Sequence, residues 1–106
     1  MITWNRKIYM DTEVAKKPYK YRRLVERKKI LRNFYCITLP ADERNLMDIY
    51  SSRELWFKYR RIMGMEIIGM AAYKESAGEL AAKIVMDVID KYGDINSENL
   101  KAYFSK

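Results

Sequence analysis

The sequence predicts a small α+β domain of 106 residues. Two observations support that fold class. Short uncharged segments are rich in β-branched and aromatic residues, and longer segments carry apolar residues at helical spacing. Hydrophobic residues make up 49% of the chain and charged residues 33%, enough for one modest core beneath a charged surface. We therefore expect a single domain over 1–106, with about three strands packed against helices.

The first segment, 1–17, has no clear period, and we expect it to be a short strand or a docked N-terminal arm. Its bulky apolar residues include Trp4, Ile8, Tyr9 and Met10. Pro18 follows this segment. Because proline is favoured at the start of a helix, the sequence predicts a helix over 19–33. The predicted apolar face of that helix consists of Tyr21, Leu24, Val25 and Leu31.

Two strands are predicted next. Residues 34–39 are mostly aromatic or aliphatic, carry no charge and stop at Pro40, which is typical of a strand. After a polar turn, 46–50 is expected to return as the second strand.

A helix is expected over 52–63, because Ser51 followed three residues later by Glu54 is a capping box, and Gly64 is expected to end the helix. This segment is about as long as a right-handed crossover between parallel strands requires. Its predicted apolar face consists of Leu55, Trp56, Tyr59, Ile62 and Met63. Trp56 and Phe57 are adjacent, so their side chains diverge by about 100° around the helix. We therefore expect Phe57 to contact either the N-terminal arm or another subunit.

The segment 65–71 decides the fold class. It is apolar apart from Glu66, and glycines at 64 and 69 would each weaken a helix interior by about 1 kcal/mol relative to alanine. We therefore expect a buried strand, with Ile67 or Ile68 between helices. The alternative is an all-α bundle in which 65–71 belongs to a helix.

Two helices are predicted to complete the chain. Ser76 and Glu79 form a second capping box for a helix over 76–92, which Gly93 would end. The apolar side of this helix comprises Ala77, Leu80, Ala81, Ile84, Val85, Val88 and Tyr92. Ser97 is expected to cap a terminal helix over 98–104. That helix would dock on the core through Leu100, Tyr103 and Phe104.

The residue types exclude several chemistries. The chain has no histidine and one cysteine, so it lacks His-based nucleophile pairs, His-ligated zinc and thiolate metal clusters. Gly64 and Gly69 have the spacing of a phosphate-binding loop, but the lysine that such a loop requires is missing. We expect no enzymatic activity, no catalytic residue, no metal site and no cofactor.

The carboxylates and the thiol have ordinary structural explanations. Asp87, Asp90 and Asp94 lie three and four residues apart, but Gly93 should end the helix before Asp94. We expect a solvated helix face there, with Glu79, Lys83, Asp87 and Lys91 in ion pairs at i,i+4 spacing. Cys36 lies within a predicted strand and should be a buried, inert thiol.

Positive charge is concentrated at one end of the chain. Residues 1–34 hold eleven lysines and arginines against three carboxylates, whereas the whole chain has a net charge of +7. Such a segment can attract polyanions. The predicted binding residues are Lys16, Lys17, Lys20, Arg22, Arg23, Arg27, Lys28, Lys29 and Arg32. Tyr19 and Tyr21 are interleaved with them and could stack on unpaired bases, although Tyr21 also belongs to the apolar face.

These observations favour a small non-enzymatic protein that binds nucleic acid through its basic N-terminal helix. The alternative is a protein-interaction module, either a homodimer or an adaptor for an acidic partner. The lack of a long apolar run and the lone cysteine favour a cytoplasmic protein without a membrane partner. Residue usage typical of AT-rich coding DNA favours a bacterial or mobile-element origin.

Overall fold

The structure is a computed structural model that describes residues 2–26, 33–39, 46–55 and 65–105. Its strands are β1 (Ile2–Met10), β2 (Tyr35–Thr38), β3 (Asp48–Ser51) and β4 (Met65–Ala71). Its helices are α1 (Thr12–Lys16), α2 (Pro18–Glu26), α3 (Lys74–Tyr92) and α4 (Ser97–Tyr103), and residues 52–55 are also helical. The predicted α+β class is confirmed, and the all-α alternative is wrong.

The strands form one mixed sheet in the order β1-β4-β2-β3. β4 pairs in parallel with β1 and antiparallel with β2, which in turn pairs antiparallel with β3. β3 and β4 therefore run in the same direction with β2 between them. The predicted connection between parallel strands therefore links β3 to β4, two strands that are not adjacent in the sheet.

β1 is a fourth strand where about three were predicted, and it corresponds to the first of the two expectations for 1–17, a strand or a docked arm. Arg6 and Lys7 conceal it in the sequence, because two consecutive charges interrupt its apolar residues. Both charged side chains are exposed on an edge strand, where charge also discourages pairing with other chains.

Helices cover both faces of the sheet and create two cores. The α2-side core consists of Val14, Tyr21, Val25, Phe34, Cys36, Leu55, Ile67, Met70 and Ala72. The α3-side core consists of Ile37, Ile68, Ala71, Ala77, Leu80, Ile84, Val88, Leu100 and Phe104. Ile67 and Ile68 are both fully buried, one in each core, as expected for a central strand covered on both faces.

Gly69 lies opposite Ile37 in the antiparallel β2–β4 pair, next to a shift in register. A Cβ atom at position 69 would lie 3.0 Å from Ile37 Cδ1, closer than ordinary packing allows. The glycine therefore leaves room for a branched side chain on the neighbouring strand.

The predicted apolar face of α2 is correct where the structure describes it. Tyr21 and Val25 are buried, and Leu24 packs against the same core. Leu31 lies outside the described residues. Also outside the described residues are Trp56, Phe57, Tyr59, Ile62 and Met63. The predicted contact of Phe57 therefore remains a prediction.

One of the three predicted caps is correct. Ser51 Oγ accepts a hydrogen bond from Glu54 N, and Ser51 N donates to Glu54 Oε1, both at 3.2 Å, which completes the capping box. The predicted cap at Ser76 is wrong, since α3 begins at Lys74 immediately after a short connection from β4. The predicted cap at Ser97 is also wrong, because Asn96 Oδ1 accepts from Asn99 N at 2.8 Å.

α3 ends where the sequence predicts. Gly93 follows Tyr92 with a φ of 84°, a left-handed conformation that favours glycine, and its N–H donates to the Ile89 carbonyl. Asp94 therefore lies beyond the helix and cannot extend a carboxylate face from Asp87 and Asp90. Among the described helices, none is long and apolar enough to cross a membrane.

Candidate functional site

The described basic residues of α1, α2 and the turn between them are exposed, and we refer to them together as the α1–α2 basic face. It consists of Lys16, Lys17, Lys20, Arg22 and Arg23, all of which are exposed. The other predicted binding residues, Arg27, Lys28, Lys29 and Arg32, lie outside the described residues.

Few carboxylates neutralise this face. Lys16 Nζ lies 3.1 Å from Glu13 Oε1, and both side chains are exposed. Within the described part of the chain, no carboxylate forms an ion pair with Lys17, Lys20 or Arg23. These three cations are available to a negatively charged partner.

A groove of about 340 Å³ lies beside the basic face, between β1 and α2. From β1 it is lined by Trp4, Arg6, Ile8 and Met10, which alternate along the strand and so point to the same side of the sheet, and also by Asn5 in the irregular part of β1. Pro18, Tyr19 and Arg22 line it from the first turns of α2. Met70 of β4 contributes a further apolar group.

The groove combines aromatic and cationic side chains. The guanidinium carbon of Arg22 lies 4.9 Å from the centre of the Trp4 ring, which is a cation–π contact. Tyr19 is 77% exposed, although Tyr21, two residues away, is buried in the α2-side core. The two tyrosines that the sequence suggested for base stacking therefore separate, and only Tyr19 is accessible.

Asn5 fixes β1 beside the groove, where the strand departs from regular pairing with β4. Its side-chain amide donates to Glu66 Oε2 at 2.6 Å and to the Phe104 carbonyl at 2.5 Å. Its carbonyl oxygen accepts from Lys7 N at 2.9 Å. These bonds hold the irregular part of β1 against β4 and the end of α4.

Asp11 fixes the C-terminal end of β1, the strand that lines the groove. One carboxylate oxygen accepts from Val14 N at 2.8 Å and caps α1, and the other accepts from Ala72 N at 2.8 Å. The backbone N–H of Asp11 also donates to the Met70 carbonyl at 3.2 Å. A single residue therefore joins β1, the start of α1 and the end of β4.

A second polar cluster lies on the opposite side of the sheet, and it corrects the expectation that Asp87 belongs to a solvated face. Tyr9 OH donates to Asp87 Oδ2 at 2.5 Å and lies 2.7 Å from Tyr103 OH. Burial and the bond to Asp87 both raise the pKa of Tyr9 above its usual value. The predicted ion pair between Lys83 and Asp87 is present, with Lys83 Nζ 3.9 Å from Asp87 Oδ2. The cluster ties β1 to α3 and α4 and leaves Tyr9 as a neutral phenol.

The described residues offer no grouping for a metal ion. Over 2–26, 33–39, 46–55 and 65–105, no three acidic or cysteine side chains converge closely enough to hold one. Cys36 is fully buried in β2 and does not line the groove, and burial raises its pKa from 9.0 to about 12. The thiol therefore stays protonated, because a thiolate would be poorly solvated there.

The burial of Cys36 predicts a loss of stability at alkaline pH. The unfolded chain releases the thiol proton near pH 9, whereas the folded chain holds it to about pH 12. The folding equilibrium constant should therefore fall between about pH 9 and pH 12, by about fivefold over the first pH unit and by up to about tenfold per unit above that. Tyr9 and Tyr50, whose pKa values are also raised, add to the loss above about pH 10.

Urea unfolding in the presence of reductant, at pH 8, 9 and 10, measures this effect. Cys36→Ala is the matched variant, because it removes the thiol and keeps both tyrosines. Its stability should fall less steeply than that of the wild type between pH 9 and 10. If the free energy of unfolding fell equally steeply with pH in the two proteins, the result would contradict this role of Cys36.

Sequence reasoning identified the basic face but missed the groove. The available signal was the period of two in Trp4, Arg6, Ile8 and Met10, which is typical of a strand with these side chains on one face. The β1–β4 pairing that gives the groove one wall joins residues about 60 positions apart in the sequence. Comparisons of the chain with protein-family models, curated proteins and solved structures give no match.

Proposed function

We propose that this protein is a non-enzymatic, cytoplasmic protein that binds nucleic acid through the α1–α2 basic face. The observation that supports this function best is the cluster of five exposed cations within the eight residues from Lys16 to Arg23. Such a surface binds a phosphate backbone by releasing its condensed counterions. The lone Cys36, buried and protonated, is compatible with the reducing environment of the cytoplasm.

The distribution of charge supports an oriented encounter with a polyanion. The basic face lies on the α2 side of the sheet, whereas α3 and α4 pack on the other side. The segment 62–106, which contains α3 and α4, holds five lysines against seven carboxylates. A nucleic acid would therefore be attracted to one side of the molecule.

The salt dependence of binding tests this function. Fluorescence anisotropy with a labelled oligonucleotide of mixed sequence should show saturable binding at 50 mM salt. If three to five phosphates of a single strand are contacted, a plot of log affinity against log salt concentration should have a slope of about −2 to −3.5. No saturable binding of single-stranded or duplex DNA or RNA would refute the proposal.

The alternative function is a protein-interaction module for an acidic partner. The same exposed cations would then steer protein association. That alternative predicts no saturable oligonucleotide binding, so the salt titration separates the two functions.

A further inference from the structure

We infer that the groove between β1 and α2 accepts an unpaired base, so that the ligand is single-stranded nucleic acid. This inference rests on the proposed function and specifies its substrate class. The α1–α2 basic face would hold the backbone, and the groove would distinguish a single strand from a duplex.

The accessible aromatic surface supports this specificity. Tyr19 is 77% exposed and lines the groove, so its ring contributes little to either core. Trp4 lines the same groove, and the guanidinium carbon of Arg22 lies 4.9 Å from the centre of its ring. Aromatic rings and guanidinium planes are the groups on which proteins stack unpaired bases.

The charge in the groove supports an anionic ligand over an apolar peptide. Of its described lining residues, Arg6 and Arg22 are cationic and none is acidic. Arg23 is exposed four residues after Tyr19 in α2, on the same side of the helix, so a phosphate beside a bound base would meet a further cation. The phosphates of a duplex can contact this surface, but its bases are stacked on one another and cannot enter the groove.

The size of the groove is also suitable. Its volume of about 340 Å³ lies within the range of about 300–1,000 Å³ that is usual for small-molecule sites. One nucleobase with its sugar fits such a space. An intact base pair with both backbones does not, and so we expect the duplex to bind through its phosphates alone.

Tyr19→Ala is the first test, because Tyr19 is exposed and its loss should leave the fold intact. We expect about tenfold weaker binding of a single-stranded oligonucleotide and little change for a duplex of the same charge density. Tyr19→Phe, which keeps the ring, should bind the single strand as the wild type does. Equal losses for single strand and duplex, or no loss for either, would overturn the inference.

Trp4 fluorescence provides an independent readout of the groove. The chain has two tryptophans, so Trp56→Phe leaves Trp4 as the sole indole. A single-stranded oligonucleotide should quench its emission, whereas inorganic polyphosphate, which has no bases, should bind with little quenching. Nucleic-acid binding that leaves Trp4 emission and the Tyr19 variant unaffected would overturn the groove assignment and keep the proposed function. Absence of binding would refute both.

Discussion

Replacing Lys17, Lys20 and Arg23 with glutamine should weaken oligonucleotide binding about 100-fold at 0.1 M salt, if each cation contacts one phosphate. Each contact with a single strand contributes about 0.7 to the slope of log affinity against log salt, and hence about fivefold in affinity at this concentration. The slope should become shallower by about 2. Fluorescence anisotropy across a salt series measures both changes.

A control variant with the same change in net charge separates local contact from general attraction. Lys74, Lys83 and Lys101 are exposed on α3 and α4, on the other side of the sheet. Replacing these three with glutamine lowers the net charge equally but should weaken binding only a few fold. Similar losses in the two triple variants would contradict the placement of the site.

Replacing Asp11 with alanine should lower the free energy of unfolding by about 3 kcal/mol. The change removes the cap of α1, which is worth about 1 kcal/mol, and leaves Ala72 N without its carboxylate acceptor. Ala72 is buried, and a lost hydrogen bond to a charged group costs about 1.5–3 kcal/mol. Urea unfolding followed by circular dichroism measures the loss.

Asp11→Asn is the matched control for that variant. Asparagine keeps one side-chain acceptor, so it can satisfy Val14 N or Ala72 N but not both with an oxygen. We expect about half the destabilisation of the alanine variant. A loss below about 1 kcal/mol for alanine would show that Asp11 does not join β1, α1 and β4 energetically.

The parts of the fold that the sequence predicts well are determined by local signals. β4 matches the predicted strand over 65–71, because the glycines at 64 and 69 disfavour a helix in this apolar segment. Ser51 and Glu54 form the predicted capping box because both partners lie within one turn. Gly93 ends α3 because glycine readily adopts a positive φ.

The parts of the fold that the sequence predicts less well lack a clear local signal. β1 is stabilised by parallel pairing with β4, and its central Arg6-Lys7 pair hides the strand pattern. α1 has five residues and one buried side chain, too few for a helical period to be visible. α3 starts two residues before the predicted position because the connection from β4 is short.

The candidate site likewise has one part that the sequence predicts, the basic face, and one part that it does not, the groove. Lysines and arginines identify the basic face directly, since charge is visible in composition. The groove requires the β1–β4 pairing and the packing of Tyr21 and Val25, which together turn Tyr19 and Arg22 towards Trp4. Helical spacing places Tyr21 in the core, but it does not tell which strand α2 covers.

Mapping the bound surface tests the central claim most directly. A ¹⁵N-labelled sample titrated with a single-stranded oligonucleotide at 50 mM salt should show amide shift changes concentrated at 16–23 and at 4–8. Amides of α3 and α4 should move little, because those helices pack on the other face of the sheet. Changes centred on α3 and α4, or no changes at saturating oligonucleotide, would contradict nucleic-acid binding through the α1–α2 basic face.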